Sequence, residues 1–280
     1  MGFRAFGVAL LCSACSTVPG LNQAKPGPFV DLPIELRHRL PTVDVVVSGQ
    51  PLKLFLDLGG YHAISLTTAE LGRSNVRFLE SPHEFMNSAG TMFESRRFVA
   101  PNVVIGGVSF GDLEGGEFLF DDVVAPPDGN GYIGMGLLGQ FLVVLDYPAG
   151  RVRLYESGDT RAFELECGRN TFEVSLVNKV AQSVVRTDYG DLLFEWDTGA
   201  THNFIRPSAI RRGESAGRLS GAEQATMTLT SLRLGGQELG PQELRVAQFY
   251  APALDAIFGT TFFASRKVCL DLPEGRGAIP

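Results

Sequence analysis

Apolar and polar positions alternate along most of the chain with the two-residue period of β-strands. Val43 to Val47 and Leu52 to Leu56 lie on either side of Ser48-Gly49-Gln50, which predicts a hairpin. Val184 to Thr187 and Leu192 to Trp196 flank a turn at Tyr189-Gly190 in the same way. No helical pattern runs much beyond two turns. About ten residues after Asp57 and after Asp197 a short helix can begin. In the first case Thr67 and Glu70 form a capping box, and in the second Pro207 suits a first helical position. The pattern predicts an all-β fold.

These elements occur twice. Leu54-Phe55-Leu56-Asp57-Leu58-Gly59-Gly60 leads to Ala63-Ile64, and Leu193-Phe194-Glu195-Trp196-Asp197-Thr198-Gly199-Ala200 leads to Phe204-Ile205, an offset of 140 residues. His62 and His202 hold the same place in the two copies. Val103-Val104-Ile105-Gly106-Gly107 is echoed by Leu232-Arg233-Leu234-Gly235-Gly236. Tyr132-Ile133-Gly134 is echoed by Ile257-Phe258-Gly259 at an offset of 125, so the second copy is 15 residues shorter between its two motifs. Each copy then ends alike, in Leu145-Asp146-Tyr147-Pro148 and in Leu270-Asp271-Leu272-Pro273. An ordered internal repeat of this kind predicts two lobes, residues 29–157 and 158–280, with the junction near Ser157 to Arg161.

Composition narrows the class. With 44% apolar and 20% charged residues the chain is of the folded, globular type, and 280 residues bury a core without help from metals. A net charge of −7 argues against a nucleic-acid partner. Past the N-terminus no stretch is long and apolar enough to span a membrane. Residues 1–16 read as an export signal, with Arg4, the apolar run Ala5 to Leu11, and small residues to Cys15. Leu11 to Cys15 resembles a bacterial lipobox, which would make Cys15 a lipidation site, and residues 17–28 a tether. The protein is thus expected in the periplasm or anchored to the outer membrane of a bacterium, touching a membrane only through that lipid. Of the other cysteines, Cys167 and Cys269 suit either a disulfide or two buried thiols. The scattered histidines offer no metal site, and no cofactor is expected.

Asp-Thr-Gly-Ala after an apolar strand, with an apolar-apolar-Gly triplet later in the same lobe, resembles the aspartic peptidases, and the likeness covers nearly the whole mature chain twice. Retroviral-type members assemble one lobe per subunit, whereas pepsin-like members carry both in one chain. This sequence is similar to the pepsin-like layout with retroviral-like local residues, notably Ala200, which implies a monomer. The resemblance implies Asp57 and Asp197 as the catalytic pair, because two carboxyls held about 3 Å apart share one proton. One then activates a water while the other polarises the scissile carbonyl. Gly59 and Gly199 permit close backbone approach, with Thr198, Gly134 and Gly259 as further structural support. A flap hairpin is expected between Phe85 and Phe98, its tip at Ser88, Ala89 and Gly90.

The sequence departs from the family at Leu58. Members usually carry Thr or Ser there, whose hydroxyl reaches the opposite loop, so half of a reciprocal brace is missing. At Gly60 and Ala200 pepsin-like relatives carry a hydroxyl that bonds the carboxylate; without it the carboxyl pKa rises, and activity is expected nearer mildly acidic or neutral pH. Two readings follow: an aspartic endopeptidase acting on protein or peptide, or a weak or inactive relative that binds peptides in the same cleft. Gly107-Val108-Ser109-Phe110-Gly111 matches a nucleophile elbow but is followed by Asp112-Leu113-Glu114-Gly115-Gly116, a poor helix, so it is read as a β-turn. His62 and His202 are read as structural twins and Asp121-Asp122 as a solvated loop.

Overall fold

The computed structural model describes residues 28–86, 92–119, 129–215, 226–249 and 253–280. The export signal with Cys15, nearly all of the tether, the flap tip at Ser88, Ala89 and Gly90, and the Asp121-Asp122 pair lie outside the described residues.

The architecture is all-β and two-lobed. An eight-stranded sheet holds the strands from Glu35 to Gly134 apart from the separate hairpin His83–Met86 with Met92–Ser95, and a nine-stranded sheet holds those from Ser175 to Phe258. Their centres repeat one another. In the first, Gln50–Asp57, Gly131–Gly134, Ile64–Thr67 and Val108–Phe118 are neighbours in that order. In the second, Gly190–Trp196, Ala256–Phe258, Phe204–Ile205 and Gln242–Val246 are neighbours in that order. In both, the second of these strands runs parallel to the Asp-bearing strand, with Ile133↔Leu56 and Phe258↔Trp196 in register. Each sheet curls so that its first hairpin meets a later strand, Val45 beside Ile105 and Arg186 beside Arg233.

The hairpin turns follow from backbone sterics. Gly106 and Gly107 have φ of 59° and 80°, and Gly235 and Gly236 have 56° and 84°. Two successive positive φ values make the primed turn that matches strand twist, and glycine adopts it without penalty. Ser109 already lies in the strand Val108–Phe118, one residue past that turn, so the elbow sequence is strand rather than the expected turn. The capping positions behave as the sequence implies. Thr67 Oγ1 accepts from the Glu70 N–H at the start of the helix Thr68–Leu71, and Pro207 opens the helix Pro207–Ser215.

The third sheet joins the halves. Each of the two similar closing segments pairs with a following strand of its own half and also with the other segment. Phe141–Asp146 pairs antiparallel with Lys267–Asp271, Val144 opposite Cys269, within a six-stranded sheet that draws strands from both halves. The buried Asp271 carboxylate is satisfied by Arg276 at 2.8 Å and by Ser157 Oγ at 2.7 Å, which fixes the start of the connection between halves. Cys167, at the end of the helix Thr160–Cys167, forms a disulfide with Cys269, settling the choice left open above.

Most buried side chains form one cluster spanning both halves. The first half contributes aliphatic residues such as Leu54, Leu56 and Ile64, and the second contributes aromatics. Trp196 stacks on Phe172 at 5.3 Å between centroids and tilts against Phe258 at 4.8 Å. The two Asp-bearing strands are therefore anchored by every other residue, leaving the alternate residues to face the cleft.

Candidate active site

Asp57 ends the strand Gln50–Asp57, and Asp197 immediately follows the strand Gly190–Trp196. The two carboxyls face one another across the junction, each against the other loop's glycine, and keep some exposed surface. Glycine is required on both sides. A Cβ at Gly59 would lie 2.8 Å from Asp197 Oδ1, and one at Gly199 would lie 2.5 Å from Asp57 Oδ1. Each loop thus yields the space that the other loop's carboxyl fills.

Gly134 and Gly259 sit behind the loops. A Cβ at Gly134 would meet Gly60 O at 2.5 Å, and one at Gly259 would meet His202 O at 2.0 Å. The same close approach lets Met135 N–H donate to Gly60 O and Thr260 N–H to Ala200 O, both at 2.7 Å. The loops are held by twin backbone bonds.

Side-chain bracing is one-sided. Thr198 Oγ1 donates to Leu56 O at 2.7 Å and accepts from Leu58 N–H at 3.0 Å. Leu58 returns no side-chain bond; it is fully buried in the apolar core. A different pair of contacts crosses between the halves in both directions. The hairpin turn at His38 and Arg39 (φ 48° and 71°) brings Arg39 Nη1 to His202 Nε2 at 2.9 Å. The hairpin turn at Asn178 and Lys179 (φ 51° and 65°) brings Lys179 Nζ to Tyr61 O at 3.3 Å, with the ammonium 3.9 Å from the Tyr61 ring centroid. Arg39 and Lys179 are themselves 140 residues apart, so this clasp obeys the repeat. Sequence reasoning missed it, because a cation in a hairpin turn ordinarily reads as solvated.

The electrostatics of the pair are unequal. Burial lifts Asp57 well above the ordinary carboxylate range, and the facing Asp197 charge lifts it further. Burial lifts Asp197 as well, but the Gly199 and Ala200 N–H groups donate to its Oδ1 at 2.7 and 3.1 Å and favour its charged form. Asp57 Oδ1 receives Gly59 N–H at 2.9 Å. Both carboxyls are raised by burial, so the pair shares one proton and titrates as a unit. Gly60 carries no hydroxyl for Asp57 because Tyr132 stands there: a Cβ at Gly60 would lie 2.5 Å from the Tyr132 ring.

Neither histidine hydrogen-bonds a carboxyl of the pair among the described residues. His62 packs edge-on against Tyr61 and His83, and burial, then the His83 charge, lowers it to about 4. His83 begins the hairpin His83–Met86 with Met92–Ser95, which flanks the expected flap tip, and its ring stacks on Tyr61 at 5.1 Å. The base of that hairpin thus rests on the loop that carries Asp57. Ser109 accepts from Gly111 N–H at 3.3 Å and has no histidine partner among the described residues. No group of three or more His, Cys, Asp or Glu is gathered for a metal ion among the described residues.

Similarity to solved structures bears on this arrangement. The chain is similar to an aspartic proteinase from Irpex lacteus at 14% identity and a TM-score of 0.57, covering 89% of this chain and 96% of that one. It is similar to Basic 7S globulin from soybean at 13% identity and a TM-score of 0.52, covering 89% of this chain and 94% of that one. The chain has the two-lobed aspartic-proteinase fold. Neither a scan of protein-family models nor a search of curated proteins gives a match. One of the two similar structures is named for proteolysis and the other is named as a globulin, so shared fold alone does not decide activity.

One buried acid beside the pair was not singled out by sequence reasoning. Glu195 precedes Asp197 by two residues and is only 9% exposed. The signal was a charged residue inside the apolar run Leu192 to Trp196.

Proposed function

We propose that this protein is an aspartic-type endopeptidase that hydrolyses protein or peptide bonds with Asp57 and Asp197. The observation that carries the reading is the pair itself: two carboxyls at the meeting of twin loops, each filling the space left by the other loop's glycine. In this mechanism the ionised carboxylate of the pair accepts a proton from water as the oxygen attacks the scissile carbonyl carbon, and its protonated partner donates to the carbonyl oxygen. The tetrahedral species collapses when the first carboxyl passes its proton to the amide nitrogen, which leaves, and the second takes back the hydroxyl proton as the carbonyl re-forms. Extended substrate would lie between the halves, held by main-chain bonds in the manner of an added strand.

Both carboxyls come from one chain, so the reading requires only a monomer. The disulfide suits an oxidising compartment, which agrees with export to the periplasm and with lipidation at Cys15. Intact mass of the protein from cells tests export: the first fourteen residues should be missing, and retention of the whole N-terminus would overturn it.

A second reading is a non-catalytic peptide binder of the same fold, favoured by the missing Leu58 hydroxyl. Incubating the purified mature protein with a diverse peptide mixture from pH 3 to 8 separates the two. New termini that vanish in Asp57→Asn and Asp197→Asn support the peptidase; binding without turnover, insensitive to either substitution, supports the binder.

A further inference from the structure

Glu195 and Asp197 are two residues apart, so their side chains leave the same face of the strand, toward the cleft. Strand register places Gln182 directly opposite Glu195 on one side and Ile257 on the other, with Phe204 beyond Ile257. Gln182 and Glu195 are 8% and 9% exposed. Among the described residues neither the Glu195 carboxyl nor the Gln182 amide makes a hydrogen bond or ion pair. Neither polar end is among the fully buried unsatisfied atoms, so both stay accessible from the cleft. A carboxyl and an amide side by side, with most of each side chain buried, point to a ligand that completes them. The surroundings are apolar: Phe249, Leu254 and Ile257 form a buried cluster against which Leu193 and Phe204 pack.

The first half differs at the same place. Phe55 stands where the repeat puts Glu195, with Tyr132 beside it and Phe118 5.9 Å away between ring centroids. That side of the cleft offers only an aromatic surface. The repeat therefore builds two unlike neighbours for one pair of carboxyls, an aromatic one beside Asp57 and an acidic one beside Asp197.

We propose that Glu195 and Gln182 form a specificity site that takes the side chain of a lysine or arginine in the bound peptide. This rests on the peptide-cleft reading given above. The aliphatic stem of such a residue would lie on Ile257 and Phe204, and its cationic end would meet the Glu195 carboxylate and the Gln182 carbonyl oxygen. A norleucine of equal length would fill the apolar part and leave both polar groups unpaired. Burial, then the Asp197 and Asp57 charges, holds Glu195 well above the ordinary carboxylate range. Arrival of a cation would therefore expel a proton.

The test uses peptides that differ only in lysine or norleucine, placed in turn at each position flanking a cleavable bond. For wild type, one position should show a lysine preference of about tenfold or more in kcat/KM, the scale of one charged hydrogen bond. Glu195→Gln should cut that ratio about tenfold, and Gln182→Leu should cut it less. If wild type cleaves nothing, the peptidase reading has failed, and dissociation constants of the same peptides decide the specificity site by the same ratios. Calorimetry in buffers of different ionisation enthalpy should show proton release for the lysine peptide only. Equal handling of lysine and norleucine, or a lysine preference untouched by Glu195→Gln, would overturn the site while leaving cleavage intact.

Discussion

The Thr198 hydroxyl donates to the Leu56 carbonyl of the opposite loop at 2.7 Å and receives the Leu58 N–H at 3.0 Å, so a single side chain joins both halves at the carboxyl pair. Thr198→Val keeps the shape and strands two buried backbone groups. An unsatisfied buried group costs about 1–3 kcal/mol. Chemical denaturation should show a loss of at least that size, with a fall in activity as the loops loosen. Leu58→Thr is not the mirror experiment. It removes a fully buried leucine from the core, so it should also destabilise, by about 1–3 kcal/mol, rather than complete the brace.

Asp57→Asn and Asp197→Asn should each reduce turnover by about 10²–10⁴-fold or more, the range for loss of a positioned acid or base. Because the two carboxyls act as one unit, the double variant should be little worse than either single one. Steady-state kinetics on one good peptide reads this directly. Equal additive losses would contradict a shared proton.

Asp57 also makes a prediction about stability. Its folded pKa is raised above the unfolded value, so the folded state holds its proton more tightly and loses stability as pH rises from about 4 through the folded value. Asp57→Asn removes that penalty. The variant should melt at a higher temperature than wild type at pH 7 and at nearly the same temperature at pH 3. A lower melting temperature at pH 7 would show that the carboxyl is not held against its burial.

His62 acts with the opposite sign. Its pKa is lowered to about 4 by burial, so between about 4 and 6.5 the unfolded chain binds the extra proton and acid weakens the fold. His62→Asn should flatten the fall in stability across that window, measured by denaturant unfolding at pH 4.5 and 7. For activity, the raised Asp57 should carry the basic limb of the pH profile above the ordinary aspartate range. A peak below about pH 3 would contradict the assignment.

Cys269→Ser should cost about 2–4 kcal/mol, since the bond closes a loop with a sequence separation of 102. Alkylation before and after reduction, read by mass, should find both thiols blocked in the native protein.

The sequence made the two lobes legible because the repeat carries its own turn chemistry. Gly106-Gly107 and Gly235-Gly236 are turns whatever surrounds them, and Thr67 and Pro207 mark helix starts by local hydrogen bonding and fixed φ. Asp57 and Asp197 were visible because each follows an apolar strand and precedes a glycine. What stayed hidden depends on the partner across space. The clasp from Arg39 and Lys179 was written in the 140-residue offset, yet only the folded halves show that each cation reaches the other half. Glu195 looked like one polar residue in a strand; its burial and lack of a partner come from the sheet around it. The pairing of Cys167 with Cys269 needed the helix Thr160–Cys167 to lie against the strand Lys267–Asp271. The pairing of the two closing segments with each other was equally invisible, since their likeness says nothing about which strands lie side by side.

That pairing has a consequence for the order of events on the ribosome. The strand Phe141–Asp146 is translated more than a hundred residues ahead of its partner Lys267–Asp271. Until then one edge of the first half has no neighbour and stays open to other strands. The second carboxyl, although translated earlier, cannot be clamped against the first while the common sheet is unfinished. Loss of Lys267–Asp271 should therefore yield an aggregation-prone product without an assembled carboxyl pair, rather than a less stable form of the same molecule.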